Sequence, residues 1–504
     1  MRNQLRSGVY LSYVNLAISC VIPFFYTPLA LEMLGQAEYG LYSLSNSVVG
    51  YLSLLSFGFG STIVRYLAKY RAEHNKDAFE RAYGFFLLLY GALALLVVIG
   101  GIIISRNVRI IFDQGLQPGE ISKLKLLVII ISINTALAFP LSVFSSVVIA
   151  YERYLFKKLL DIFSTAIFPI ANLIVLYLGY SSIGLALAGI FVQLLFAPIY
   201  IVYCFKKIHI RPQFTKLPIG LIREMFSFSL FVFIASIVDM LFWATDKVIL
   251  GMLISSSAVA IYNIGGTFNN IVMNLSTSIS GVLMPKITGM VVTDTPKSEW
   301  TGLFIKVGRI QFLIIALIVS GFSVFGHVFI NLWAGPEYKD AFWVAVLTMY
   351  PLCIPLIQNT GISFVTAQNK HSFRSIVYLI IAILNVITTY LVVPTMGIIG
   401  AALCSCISYL LGQGLIMNIY YYYVTGLDIP LFWKNILKMA FIPALMLAGG
   451  LLANRFIAID NWGTFFAGVV LFTIIYAVLM YLFAMNDYEK DIIRKPLQRL
   501  LTQE

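Results

Sequence analysis

The segment YGFFLLLYGALALLVVIGGIIIS runs from Tyr83 to Ser105 without one charged side chain. A helix rises about 1.5 Å per residue, so about 20 apolar residues cross a hydrocarbon core roughly 30 Å thick. At that depth no water serves the backbone, and a helix satisfies its amides within the segment. The stretch reads as a membrane-spanning helix, and the fold follows from how often such a stretch recurs.

Fourteen apolar runs can be read in all: 9–33, 41–63, 83–105, 125–150, 159–179, 183–205, 226–252, 257–284, 304–332, 341–366, 374–394, 397–423, 434–453 and 463–485. They predict an all-α polytopic membrane protein with 14 transmembrane helices. Composition agrees: of 504 residues, 60% are hydrophobic and 11% charged, against about 25% charged in soluble domains. That balance excludes a soluble enzyme, a disordered chain and a disulfide scaffold. The first run is too long for a signal-peptide core and has no small-residue cleavage signature after it. Loops are short; the largest, near 64–82, 106–124, 206–225 and 285–303, leave no room for a soluble catalytic domain. No G-x-x-x-x-G-K-[ST] motif occurs, so ATP hydrolysis by this chain is not expected.

The net charge of +12 falls mostly between the apolar runs, which points to topology and away from nucleic acid. With the N-terminus placed inside, 25 Lys and Arg flank the cytoplasmic side and 6 the outer side. Both termini are therefore expected in the cytoplasm, with the loop 106–124 the one basic exception outside. Trp333, Trp343, Trp433 and Trp462 fall near predicted span ends, where indoles favour the interface. Cys20, Cys204, Cys353, Cys404 and Cys406 all lie in apolar segments and read as small hydrophobes. His74, His209 and His371 are in loops and His327 is alone in a span, so neither a metal nor a cofactor is expected.

The chain also resembles itself. Tyr42 and Tyr262 open the second and eighth spans 220 residues apart. Ala150-Tyr151-Glu152-Arg153 before span five answers Ala367-Gln368-Asn369-Lys370 before span eleven, and Ile183-Gly184-Leu185-Ala186 answers Ile399-Gly400-Ala401-Ala402. Residues 1–205 and 225–424 thus read as two six-helix lobes, with two further helices at 434–485 and a cytoplasmic tail at 486–504. An even number of spans per copy inserts both the same way up, a parallel repeat. Two such bundles would face one another across a cleft and open it to either side in turn.

The stretch Tyr26-Thr27-Pro28-Leu29-Ala30-Leu31-Glu32-Met33-Leu34-Gly35, then Glu38-Tyr39-Gly40-Leu41-Tyr42 and Arg65-Tyr66-Leu67-Ala68, resembles the opening of Wzx-type polysaccharide flippases. These belong to the multidrug/oligosaccharidyl-lipid/polysaccharide exporter superfamily. Asp246-Lys247-Val248-Ile249-Leu250-Gly251 with Ala260-Ile261-Tyr262 is similar to that family's seventh-to-eighth span junction, and Ala334-Gly335-Pro336-Glu337-Tyr338 to the turn before span ten. The resemblance implies a flippase in the bacterial inner membrane for undecaprenyl-diphosphate-linked oligosaccharide repeat units, serving O-antigen (lipopolysaccharide), capsule or related glycan synthesis. Its partners would be the lipid-linked oligosaccharide, membrane lipid and other polysaccharide assembly proteins.

Ionisable groups at bilayer depth cost about 2.5–3.5 kcal/mol on insertion scales and usually face the bundle interior or water. Asp239 lies near mid-depth of span seven and is the first candidate for ion coupling, unless it locks two helices together. Asp246 is seven residues on and is the second candidate; with Lys247 it is expected near the outer interface, where snorkelling eases burial. Asp161 and Glu32, at span ends, read as interfacial. Lys306 and Arg309, three apart, share a helix face at the cytoplasmic start of span nine. A guanidinium fork and an ammonium suit a diphosphate; anionic lipid contact or a structural ion pair are the alternatives. Arg65 and Lys69 are a weaker pair of the same kind. Ser12, Asn15, Ser19 and Tyr26 form one polar stripe on span one, a helix that Pro23 and Pro28 are expected to bend. Asn15 and Ser19 are candidates for sugar hydroxyls, or for bonds between helices.

Two other functions stay open at this point. An ion-coupled drug or small-molecule exporter of the same superfamily is one, although Lys247, Lys306 and Arg309 against Asp239 and Asp246 disfavour cationic cargo. A membrane glycan polymerase or acyltransferase is the other; such enzymes usually need a sizeable polar loop.

Overall fold

The computed structural model of the protein describes residues 2–218, 220–281 and 283–501. The side chains of Arg2, Arg6, Cys20, Arg223, His371 and Arg499 lie outside that description. Among the described residues every regular element is helical. By their contacts the residues form two compact units, Met1–Asn263 with Val386–Gly397, and Ile264–Asn385 with Ile398–Glu504.

The first unit holds α1 (Arg2–Leu34), α2 (Gln36–Gly50), α3 (Phe59–Ala72), α4 (Lys76–Phe112), α5 (Pro118–Ala150), α6 (Tyr154–Tyr177), α7 (Ser182–Val202), α8 (Leu221–Trp243), α9 (Thr245–Leu253) and the start of α10 (Ser256–Gly281). Its centre is the α4–α5 pair, where Phe79, Tyr83, Phe86, Val143 and Val147 are fully buried. Tyr83 and Phe144 meet edge to face at 5.7 Å, the geometry aromatic quadrupoles favour. Gly40 explains part of the Glu38-Tyr39-Gly40 motif: a Cβ there would run into the Ser256 carbonyl. Glu38 accepts from Ser182 Oγ at 2.6 Å and pairs with Lys123, which ties α2 to α5 and α7.

The second unit holds the rest of α10, then α11 (Met284–Val292), α12 (Lys297–Trp333), α13 (Ala341–Ile357), α14 (Asn359–Ala367), α15 (His371–Tyr409), α16 (Met417–Tyr420), α17 (Ile429–Ala453), α18 (Trp462–Leu479) and α19 (Asp487–Leu501). The long α12 packs against α17 and α18. Phe325, Phe465 and Phe472 fill one contact, and Phe304 stacks on Phe432 at 4.4 Å in another.

Among the described residues ten helical stretches are long and apolar enough to cross a membrane, or eleven if α13 and α14, bent by 46°, form one span. The expected fourteen is a larger number. One of the ten, Ser372–Thr425, is 54 residues long, about 80 Å of helix against a core of roughly 30 Å. It breaks at Gly397 (φ 58°, ψ −139°), the first residue of the expected span 397–423 that follows the expected span 374–394. The expected spans 226–252 and 257–284 fall on α8, α9 and α10, outside the ten or eleven. Asn263, Asn269, Asn270 and Asn274 lower the hydropathy of α10, and α8 includes residues outside the description. The expected lobe boundary near 205–225 differs from the division by contacts, which groups α8 and α9 with the first unit.

Candidate functional site

The second expected span, 41–63, is not one helix. After α2 the chain makes a tighter helical turn over Tyr51–Ser56, leaves the helical conformation at Phe57 and Gly58, and restarts as α3. Phe57 (φ 49°) and Gly58 (φ 67°) are both left-handed. For Phe57 that costs roughly 1–2 kcal/mol, offset by ring contacts to Phe233 and Phe59 at 4.9 and 5.6 Å. Gly58 takes the same conformation without a Cβ, and a Cβ would meet Val232 of α8 at 2.7 Å. Breaks of this kind leave carbonyls of the first half and amides of the second without their usual helical partners.

Beside the break lies a cavity of about 390 Å³ whose lining includes Ser53, Ser56, Phe139, Ser236, Asp239 and Trp243. Ser53 Oγ donates to the Gly50 carbonyl at 2.6 Å, and Ser236 Oγ donates to the Val232 carbonyl at 3.0 Å. With those protons committed, the hydroxyl oxygens offer lone pairs, as does the Asp239 carboxylate.

Asp246 does not line this cavity. The helix turns at Ala244, between α8 and α9, so the two carboxylates part company. Asp246 is 0% exposed and accepts a hydrogen bond from the Tyr262 hydroxyl. Next to it Thr245 and Tyr51 share a hydroxyl–hydroxyl bond, Lys247 Nζ donates to Asn263 Oδ1 at 3.3 Å, and Asn263 Nδ2 donates to Tyr39 Oη at 3.0 Å. The pair expected to snorkel at an interface is instead part of a buried network joining α2, α9 and α10. Hydrogen bonding to fixed partners replaces water there.

Arg309, expected to present its fork to a diphosphate, is only 7% exposed. Its Nε and Nη2 donate to Glu489 Oε1 and Oε2 at 2.5 and 2.9 Å. Nη2 also donates to the Ala484 carbonyl at 2.9 Å and Nη1 to the Asn435 carbonyl at 3.4 Å. Lys306 is exposed, with Nζ 3.5 Å from the Tyr488 ring centroid. Both cations therefore face α19, and for Arg309 the structural ion pair is the arrangement present. Arg65 is exposed on α3.

The stripe on α1 meets α6. Asn15 Oδ1 accepts from Thr165 Oγ1 at 3.3 Å, and Tyr26 Oη accepts from Asn172 Nδ2 at 3.2 Å. Ser19 is exposed. Asp161 pairs with Lys157 on the same helix. Cys204, Cys353, Cys404 and Cys406 are free thiols.

Ser53 and Ser56 escape sequence reasoning because hydropathy shows span two as unbroken, and Ser236 because a lone serine three residues before Asp239 carries no signal of its own. Phe57-Gly58-Phe59-Gly60, two glycines inside an apolar run, was the available signal.

A family model described as polysaccharide biosynthesis protein matches residues 5–291. The chain belongs to this family. It is 24% identical over 479 residues to an uncharacterized membrane protein of Methanocaldococcus jannaschii, covering 90% of this chain and 91% of that one. It is 22% identical over 497 residues to the uncharacterized membrane protein EpsK of Bacillus subtilis, covering 95% of each. This family member shares its fold with the lipid II flippase MurJ in an inward closed conformation, at a TM-score of 0.75 and 15% identity over 94% of this chain and 98% of that one. An inward-facing multidrug resistance MATE transporter of the MOP superfamily matches at 0.66 and 12% identity, over 84% of this chain and 99% of that one. Apolar helices and membrane-protein relatives together make the chain a multi-pass membrane protein.

Proposed function

We propose that this protein is a transporter, not an enzyme, that flips lipid-linked oligosaccharide repeat units across the bacterial inner membrane by alternating access. Its cargo in this reading is an undecaprenyl-diphosphate-linked glycan for O-antigen, capsule or another surface polysaccharide. The chain crosses the membrane fourteen times with both ends in the cytoplasm, and the copies 1–205 and 225–424 are its two moving halves. The observation that carries the reading is the fold likeness to a lipid II flippase along 94% of the chain, in a member of a polysaccharide biosynthesis family.

Ion coupling falls to Asp239, which lines a cavity of hydroxyl and carboxylate oxygens beside a broken helix. Discontinuous helices with acidic neighbours are a recurrent way to hold a coupling ion at membrane depth. Asp246 is assigned to the buried network, not to coupling. Arg65 and Lys306, both exposed, are the cations proposed for the diphosphate, while Arg309 holds α19. Asn15 bridges α1 and α6, and Ser19 is the α1 residue proposed to reach the glycan.

Deleting the gene tests the reading. Lipid-linked repeats should accumulate on the cytoplasmic face while drug susceptibility stays unchanged. Repeats that still reach the outer face, with no second flippase present, overturn it. Hypersensitivity to cationic drugs with normal glycan would favour the exporter reading instead.

A further inference from the structure

A groove of about 510 Å³ lies where α6 begins and α7 ends. Its lining includes Phe156, Ile199, Val202, Tyr203, Lys206 and Lys207, and no acidic side chain. After Val202 the helix widens over Tyr203–Ile208, with i to i+5 hydrogen bonding, and closes at left-handed His209. Phe156 and Tyr203 stack flat, centroids 3.6 Å apart, and form a rigid aromatic wall. Ile199 is 40% and Val202 50% exposed, so the apolar surface has no protein cover.

The lysines make the groove specific. Neither Lys206 nor Lys207 has an ion-pair partner among the described residues. Two other cations near that end are paired: Lys157 with Asp161, Arg71 with Glu152. Two adjacent ammonium groups therefore sit at the polar end of an apolar trough in a membrane-spanning bundle. The ligand must be apolar along its length and anionic at one end. We propose that this groove binds an anionic glycerophospholipid, its acyl chain against Ile199, Val202 and Phe156 and its phosphodiester between Lys206 and Lys207. Basic pockets between transmembrane helices recognise lipid headgroups in this way. The count of Lys and Arg around the spans puts the site in the cytoplasmic leaflet. The site is separate from the Asp239 cavity and owes nothing to the transport reading.

The test titrates the purified full-length protein with phosphatidylglycerol or phosphatidylcholine and counts bound lipids by native mass spectrometry. Wild type should prefer phosphatidylglycerol. K206A/K207A should lose about thirtyfold in its affinity, since each lysine near an anionic headgroup contributes about 1 kcal/mol. K206R/K207R should retain the preference, and Val202→Trp, which fills the trough, should weaken both lipids. Three results overturn the proposal: equal binding of the two lipids, phosphatidylglycerol held unchanged by K206A/K207A, or displacement of the bound lipid by inorganic phosphate alone. Preferential binding of a polyprenyl diphosphate in the groove would also overturn it and would make the groove part of the substrate path.

Discussion

The Arg309 guanidinium holds the Glu489 carboxylate in a two-bond fork, Nε to Oε1 at 2.5 Å and Nη2 to Oε2 at 2.9 Å, with Glu489 only 3% exposed. The fork joins the first half of α12 to the first turn of α19. Removing one partner strands the other charge in a buried site, at a cost of roughly 3–5 kcal/mol. Arg309→Ala and Glu489→Ala should each expose the α19 amides to rapid hydrogen exchange. The double variant should be less damaged than the two single losses combined. Unchanged protection of 487–501 in Arg309→Ala would refute the anchor.

The break in the second span makes its own demand. Gly58→Ala puts a Cβ 2.7 Å from Val232 at a residue with φ 67°. The left-handed conformation alone costs an alanine roughly 1–2 kcal/mol. A lower thermal midpoint is expected. Gly60, two residues on in α3, has nothing within 4 Å of its Cβ position, and Gly60→Ala should gain about 0.5–1 kcal/mol from helix propensity. A midpoint for Gly58→Ala equal to or above that of Gly60→Ala would contradict the broken-helix geometry.

Tyr262→Phe removes the hydroxyl that donates to buried Asp246. A buried acceptor short of a donor costs about 1–3 kcal/mol. The variant should melt earlier yet keep the ion dependence of transport, because Asp246 lies outside the Asp239 cavity. Loss of ion dependence with stability intact would return Asp246 to the coupling role.

Much of this fold is legible in residue order because the bilayer imposes helix, length and charge side on every span. The apolar window 83–105 lies inside α4 and 304–332 inside α12. What hydropathy does not register is a change of backbone conformation within an apolar run, so Phe57-Gly58 passed as continuous helix. The stripe Asn15–Tyr26 showed its period but not its partner, since which helix covers it is decided by packing against Thr165 and Asn172. Arg309 was read for its own chemistry. Its partner stood 180 residues away, in Asn486-Asp487-Tyr488-Glu489, where Asn486 and Glu489 exchange bonds at 2.9 and 3.0 Å as a capping box. A cap signature at the start of the tail was the sign that the tail is a docked helix.

The proposed orientation rests on 25 Lys and Arg expected inside against 6 expected outside. A cysteine placed at Gln114, in the outer loop, should react with a membrane-impermeant maleimide in intact cells, and one at Asn75 should not. The opposite pattern would invert the topology.

The most direct measurement concerns Asp239. Purified protein in liposomes is given a fluorescent lipid-linked oligosaccharide and an imposed ion gradient, and the flipping rate is read for wild type and Asp239→Asn. The substitution keeps size and shape and removes only the charge, so the variant should fold normally, bind lipid normally and lose acceleration by the gradient. An Asp239→Asn protein whose flipping is driven as fast as the wild type's would contradict the account at its centre.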